Sequence, residues 1–384
     1  MNSLDALAGV LRVRPGAPRP RSLTGTRPAW AGTIARGRPA HEVPRLLASL
    51  FSLCGHAHGL CAGLAVQAAQ RGEVAPAFDD LRALQCETQR EHIRRICLNW
   101  TRQLVLTPEA GERIAGLGLG ALYACPALAS GFDGGNMAAV ARWMAQHLLG
   151  TDPGTWVANW SQDRWLWLAH WSQADKGWLA ELLRSSRTFA DLPVAGDTPL
   201  RPHADRSSLV EFAAGLRDAA SASTHPLWRG GCAETGTWTR LHDADSPPCM
   251  TAWQRLGARV AELARLTLPD AATRGGAGWL STGTLHLARR EGMAWVEMSR
   301  GLLVHHVRLE GSGVQPRVAS YGVLAPTEWN FHPQGAVARA LEAMPPAGAD
   351  ERLRARVQAL MAAYDPCVRF EVDADPLPTE SAHA

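Results

Sequence analysis

Three side chains near residue 54 have the types and spacing of a metal site. Cys54, His58 and Cys61 fall at positions i, i+4 and i+7, so on a continuous helix they project from one face. Thiolate and imidazole ligands suit nickel, zinc or copper. The helical rise separates Cys54 from Cys61 by about 10 Å, whereas a metal–sulfur bond is only roughly 2.3 Å long. One metal therefore reaches both thiols only if Gly55 breaks the helix; the alternative is a small-residue face packed against another helix.

A further thiol lies near the carboxyl end of the chain, in the run YDPC at 364–367. Proline disfavours helical backbone at the residue before it, so a helix predicted over 348–363 should end there. Cys367 should then lie on a turn. A thiol on a fixed turn is a better metal ligand than one in the middle of a helix.

An arginine between two strand-like runs is a candidate for binding an anionic group. Arg300 at such a joint can present its planar guanidinium to a pocket. His305 and His306 follow it on one strand and point to opposite faces, so they cannot both line one site. The polar-aromatic run PTEWNFHP at 326–333 is expected to form a rigid loop that joins the sheet to the C-terminal helices.

The composition is that of a globular protein and excludes several functions. Apolar residues make up 46% and charged residues 20% of the 384, and a net charge of +3 is too small to predict a nucleic-acid partner. Lys176 is the one lysine among 39 basic residues, so an individual arginine carries little information. No run of 18 apolar residues predicts a membrane span. Arginines in place of a signal-peptide core predict a cytoplasmic protein with reduced cysteines.

The apolar periodicity predicts a mainly α fold with a small antiparallel β-sheet, an α+β protein. Alternating residues predict strands at 282–297, 300–309 and 315–323. Helical spacing is found at 43–71, 78–104, 137–149, 164–186, 206–220, 250–266, 335–343 and 348–363.

The chain is predicted to form one domain preceded by an arm. Residues 1–42 are expected to be an extended basic arm, and 43–384 a single domain. That domain is expected to be helical over 43–275 and β-rich over 276–325, with the C-terminal helices and the cysteine turn in 326–384. Six tryptophans between 156 and 178 are expected to pack helices together; the alternative is a surface that docks a partner.

Six segments, in order along the chain, resemble the nickel-dependent hydrogenase large-subunit family. Any one match is weak, but six in the right order are specific. The segments are Gly37-Arg38 with LCG at 53–55, GCAETGTWTR at 231–240, Arg255 with Ala258-Arg259 and Glu262, EMSRG at 297–301, Tyr321 with PTEWN at 326–330, and DPC at 365–367.

The resemblance implies a specific set of metal ligands. Catalytic members hold a nickel–iron centre with two CxxC pairs, and the iron carries cyanide and carbon monoxide. Cys54 and Cys367 match the two terminal nickel ligands. The bridging positions fall on Ala57 and Phe370, which have no thiol. Other departures are Ser52, Cys61, Ser299 and Asp373, where the family has arginine, histidine, proline and histidine.

A second motif is similar to one branch of that family. The run ETQREHIRRI at 87–96, followed by Asn99-Trp100, resembles a helix of the HupK/HoxV-type hydrogenase expression and formation proteins. The resemblance implies a hydrogenase large-subunit-like helical fold and a transient scaffold on which the active-site precursor is handled. With two of the four thiols missing, we expect a non-catalytic accessory protein. Helix 78–104 should pack beside helix 43–71.

The expected cargo is an Fe(CN)2(CO) fragment, a nickel-containing precursor, or both. The expected metal ligands are Cys54, Cys367, His58 and Cys61, with Arg300 donating a hydrogen bond to bound cyanide. The expected partners are hydrogenase maturation factors and the hydrogenase large subunit. Two alternatives stay open: a docking protein that binds maturation factors without metal, and an atypical hydrogenase large subunit.

Overall fold

The computed structural model describes residues 9–25, 30–51, 53–218, 224–269, 278–311, 315–346 and 350–373. Parts of several predicted segments lie outside these ranges: Ser52, parts of the arm 1–42, the end of the helix 206–220, parts of the β-rich region 276–325, the start of the helix 348–363, and residues 374–384. The fold is mainly helical with small sheets, which confirms the predicted α+β class. Within the described ranges, no helix combines the length and apolarity needed to cross a membrane.

Fourteen α-helices of at least five residues lie within the described ranges. Two of them continue into π-helical turns, one at Arg95–Trp100 and one at Ala145–Leu149. The helices are α1 Trp30–Ala35, α2 Val43–Leu50, α3 Gly55–Arg71, α4 Phe78–Arg94, α5 Pro108–Tyr123, α6 Met137–Met144, α7 Pro153–Gln162, α8 Arg164–Ala174, α9 Trp178–Ala190, α10 Arg206–Asp218, α11 Ala252–Arg265, α12 Pro326–Asn330, α13 Ala336–Glu342 and α14 Glu351–Tyr364.

The single helix predicted over 43–71 is wrong, because the chain breaks between α2 and α3. Helix α2 ends at Leu50, and Cys54 is the residue that precedes the first turn of α3. A side chain at Gly55 would place its Cβ only 2.5 Å from the carbonyl oxygen of Ala48. Glycine therefore allows the two helices to approach closely at the turn that carries Cys54.

A four-stranded antiparallel sheet packs against helix α3. Its order is β5-β6-β7-β8, with strands Thr282–Ala288, Glu291–Met298, Gly301–Glu310 and Arg317–Leu324. The strand predicted over 282–297 is thus a hairpin that turns at Arg290, whose φ is +66°. The other two predicted strands are confirmed with bounds shifted by one or two residues.

Two strands from opposite ends of the chain pair with each other. Strand β1 (Val10–Val13) lies parallel to β9 (Arg369–Val372) and antiparallel to β2 (Leu23–Thr24). Strands β3 (Thr198–Pro199) and β4 (Ala233–Glu234) form a separate two-stranded parallel sheet. Strand β1, which belongs to the predicted N-terminal arm, is therefore hydrogen-bonded to the C-terminal region that contains Cys367.

The tryptophan-rich region is a core and not one helix. The helix predicted over 164–186 is wrong, since α8 ends at Ala174 and α9 begins at Trp178. Trp156 stacks on Trp160 at 5.5 Å and meets Trp171 edge-on at 5.6 Å. All three are almost fully buried, which confirms the predicted role in helix packing. The apolar periodicity of the sequence did not predict helices α5 and α7.

Candidate metal centre

The Cys54 turn is fixed by a carboxylate from the neighbouring helix. Cys54 is buried at the N-terminus of α3. Glu87 of α4 accepts hydrogen bonds from the backbone N–H groups of His56 at 2.7 Å and Ala57 at 2.9 Å. Burial raises the pKa of Glu87, and these two N–H groups oppose the rise. The predicted packing of the segment 78–104 beside the segment 43–71 is confirmed by these contacts. It fixes the backbone next to Cys54, the first of the two candidate thiol ligands.

Two of the predicted ligands, Cys61 and His58, face the sheet. The Cys61 thiol donates to the carbonyl oxygen of Ala294 at 3.4 Å, and burial raises its pKa above the usual range. The Nδ1 atom of His58 lies 3.1 Å from Nε2 of His305, whose Nδ1 lies 2.6 Å from the hydroxyl of Tyr321. His305 is fully buried, whereas His306 pairs with Glu291, so the two histidines face opposite sides as predicted. Cys61 therefore lies in a hydrogen-bonded part of the core.

The Cys367 turn follows helix α14 as predicted. The helix ends at Tyr364, and Asp365 has φ +52° in the left-handed region that Asp tolerates better than most residues. The hydroxyl of Thr327 donates to Sγ of Cys367 at 3.0 Å and accepts the backbone N–H of Cys367 at 3.4 Å. The run at 326–330, predicted as a loop, is the short helix α12 that supplies this threonine. Cys367 is only half-buried.

Arg300 is buried and lies within electrostatic range of both candidate thiols. Its Nη2 binds Glu91 at 2.5 Å, and its Nε lies 3.4 Å from Asp365. Burial alone would lower the pKa of Arg300, but Asp365, Glu91, Cys367 and Cys54 together raise it above its usual value. Its Nη1 has no hydrogen-bond partner among the described residues. A buried donor without an acceptor is costly, which points to an absent ligand.

An ion-pair network around Asp365 was missed by the sequence analysis. Asp365 lies 3.0 Å from Arg95 and 3.3 Å from Arg259, and Arg95 also lies 3.0 Å from Glu91. With Arg300, the network contains three guanidinium groups and two carboxylates. The pKa of Asp365 is lowered, because Arg300, Arg259 and Arg95 outweigh its burial. The excess positive charge favours an anionic ligand at this place.

A second buried network supports the first. Glu262 of α11 binds Arg240 at 2.6 Å and His92 of α4 at 2.8 Å. His92 also contacts Arg259 at 3.1 Å through its other ring nitrogen. The sequence signal for both networks was present, because these residues belong to the segments that resemble the family, but their pairing depends on the fold.

The structure brings some of the predicted site residues to one place. Cys54 and Cys367 both interact electrostatically with Arg300. In the ranges that the structure describes, no three His, Cys, Asp or Glu side chains are placed to hold a metal ion by themselves. The ligand set of Cys54, Cys367, His58 and Cys61 therefore stays a prediction. Two thiols beside an unpaired guanidinium N–H nevertheless fit a metal that brings its own anionic ligands.

Comparisons with known proteins identify the relatives of this chain. No family model matches it. It is 39% identical to the hydrogenase expression/formation protein HoxV of Cupriavidus necator, over 97% of both chains. It is 29% identical to the hydrogenase expression/formation protein HupK of Rhizobium leguminosarum bv. viciae, over 93% of this chain and 91% of that protein.

Solved structures show the same fold at much lower sequence identity. The Ni-Fe-Se hydrogenase from D. vulgaris Hildenborough aligns with a TM-score of 0.51 and 13% identity, covering 90% of this chain and 92% of that one. An NAD+-reducing [NiFe]-hydrogenase aligns equally well, with the same TM-score and identity. The fold is therefore that of a hydrogenase large subunit, and the chain belongs to the HoxV/HupK family of hydrogenase expression/formation proteins.

Proposed function

We propose that this protein is a non-catalytic scaffold in hydrogenase maturation. It transiently binds a metal precursor of the active site, an Fe(CN)2(CO) fragment or a nickel-containing species, between Cys54 and Cys367. The names of its relatives support a part in hydrogenase formation. The metal cargo and the two thiol ligands are our inference from the site.

The observation that carries this proposal is the unpaired Nη1 of buried Arg300. A guanidinium N–H in a water-poor site gains most from an anionic acceptor, and cyanide bound to iron is such an acceptor. The thiols of Cys54 and Cys367 both lie within electrostatic range of the same guanidinium. One fragment could therefore be held by sulfur on the metal and by Arg300 on the cyanide.

The residues at the bridging positions support temporary binding. Ala57 is fully buried, and its N–H is bound by Glu87, so the position has no room for a ligand from outside. Phe370 lies on β9, paired with Leu11 of β1. Without a second thiol in each pair, the chain offers two thiolates where the enzymes offer four. Fewer metal–sulfur bonds favour release over permanent retention.

The partners follow from the same proposal. Maturation factors would deliver the cyanide-bearing iron, and the hydrogenase large subunit would receive it in the cytoplasm. Cys61 is left out of the proposed ligand set, since its thiol already donates a hydrogen bond to the carbonyl oxygen of Ala294.

Infrared spectroscopy with metal analysis tests the proposal on full-length protein purified from cells that contain the maturation machinery. We expect cyanide and carbonyl bands with about one iron per chain for a single site. Cys54→Ser and Cys367→Ser should lose both, whereas Cys61→Ser, the matched control, should keep them. Wild-type protein with neither bands nor metal would contradict the proposal. Normal hydrogenase maturation with Cys54→Ser and Cys367→Ser combined would instead favour the metal-free docking protein.

Arg300→Lys tests the role of the guanidinium separately. Lysine keeps the positive charge but lacks the planar fork that reaches Glu91, Asp365 and a ligand at once. We expect the cyanide bands to shift and the metal content to fall. Unchanged cyanide frequencies at full iron content would show that Arg300 does not contact the ligand.

A further inference from the structure

One row of side chains on helix α4 and the π-helical turn that continues it contacts the three parts of the candidate site. Residues four apart lie on the same face of a helix. Glu87 binds the backbone of the Cys54 turn, Glu91 binds Arg300, and Arg95 binds Asp365 beside Cys367. The spacing is i, i+4 and i+8, so a single rigid helix sets the positions of all three segments.

The row continues past the site with two amide side chains that form no hydrogen bond to another residue in the described ranges. Asn99 and Gln103 stand at i+12 and i+16, in and after the π-helical turn Arg95–Trp100. Neither side-chain amide makes a hydrogen bond to any described residue, although both are half-buried. Arg95 uses only its Nε in its hydrogen bond to Glu91. π-Helical turns inside α-helices are frequent at functional sites.

These side chains line a cleft that reaches the second thiol. The cleft has a volume of about 290 Å³. Its lining includes Arg95, Asn99 and Gln103 from the extension of helix α4, and Asp365, Cys367 and Phe370 from the C-terminal segment. Cys367 is half-buried there, whereas Cys54 is buried. A larger cleft of about 630 Å³, near Leu53 and Arg90, has neither thiol in its lining.

We propose that this cleft is the access port of the site, and that Arg95, Asn99 and Gln103 bind the cargo as it passes. The inference rests on the proposed function. Its ligand is a small metal complex with hydrogen-bond-accepting ligands such as cyanide. Two amide groups and a guanidinium supply the donors, and the thiol of Cys367 is the first sulfur that the metal meets. Phe370, which stands at a bridging position, forms part of the wall.

Thiol labelling of the metal-free full-length chain tests whether the cleft gives access. Iodoacetamide should alkylate Cys367, as measured by peptide mass spectrometry. Val368→Trp narrows the cleft and should slow that alkylation about tenfold, the effect of a barrier higher by roughly 1.4 kcal/mol. Val372→Trp, at the end of strand β9 and outside the cleft lining, is the matched control and should react as wild type does. Equal rates in both variants would overturn the port.

Loading of the cargo tests the donors without blocking the cleft. Asn99→Leu combined with Gln103→Leu should reduce the cyanide and carbonyl bands and the iron content about tenfold, as expected for two lost hydrogen bonds. Arg102→Leu, on the exposed side of the same helix, should load normally. Full loading of the double variant would overturn the proposed access port but would leave the proposed function intact. A wild-type chain without bands would overturn the proposed function, while the labelling would still decide whether the cleft leads to Cys367.

Discussion

The two turns that carry the candidate thiols are built in opposite ways. Cys54 precedes a helix, is buried, and has its turn fixed by the carboxylate of Glu87. Cys367 follows a helix, is half-buried, and is held by the hydroxyl of Thr327 at the edge of a cleft. The first turn is closed and rigid, and the second is open to a small ligand.

This difference fits a site that must both bind and release. A permanent centre gains from burying all its ligands, because burial excludes water and competing ligands. A temporary metal centre needs at least one protein ligand that is accessible from solvent. On our proposal, the Cys54 turn fixes the cargo and the Cys367 turn admits it. Variants that disturb one turn and leave the other unchanged would sharpen this contrast.

The largest effect is expected at Asp365, which the two turns share through Arg300. Asp365→Ala removes the carboxylate that Arg95, Arg259 and Arg300 all contact. Removing one partner from a buried ion pair lowers the free energy of unfolding by about 3–5 kcal/mol. The value can be measured by urea unfolding, followed by tryptophan fluorescence.

Two further variants separate the causes at Asp365. Asp365→Asn removes the charge but keeps a side chain that tolerates φ +52°, so it should lose less stability than Asp365→Ala. Glu371→Ala, which removes an exposed pair with Arg369, should change the stability little. A loss at Asp365 as small as that of a surface pair would show that the network does not hold the turns together.

A smaller and local effect is expected at Glu87. Glu87→Ala leaves the N–H groups of His56 and Ala57 without their acceptor, and loss of such a helix cap costs about 0.5–2 kcal/mol. The Cys54 turn should loosen, so iodoacetamide should alkylate Cys54 faster than in the wild type. Glu87→Gln keeps one acceptor oxygen and should be intermediate. An unchanged rate at Cys54 would mean that burial alone protects this thiol.

The sequence predicted the fold class and the Cys367 turn, because both depend on local patterns. Apolar periodicity located several of the long helices and most of the sheet strands, and Pro366 placed Cys367 after a helix end. The break before Gly55 was not predicted, since it depends on contact with the Ala48 carbonyl. The parallel pairing of β1 with β9 joins residues more than 350 positions apart and leaves no local signal.

The charged network was missed for a compositional reason. With 39 basic residues, nearly all of them arginine, no single arginine stood out in the sequence. Arg300 was identified by its place between two predicted strands, but Arg95 and Arg259 gained a role only when the structure placed them beside Asp365. Cys61 shows the reverse case: its spacing suggested a ligand, and its thiol is bonded to the sheet.

The smallest effect is expected at Thr327, which supports the open turn as Glu87 supports the closed one. Thr327→Val keeps the shape of the side chain but removes the O–H donor to Cys367 Sγ and the acceptor of its backbone N–H. A hydrogen bond of ordinary geometry contributes about 0.5–1.5 kcal/mol net. Both of these bonds are weaker than that, because one has a sulfur acceptor and the other is 3.4 Å long, so the loss should stay below that at Glu87. Alkylation of Cys367 should change while that of Cys54 stays constant, and Thr327→Ser should restore the wild-type rate. Equal changes at both thiols would mean that the two turns move as one unit, and that the cargo enters by a motion of the whole site.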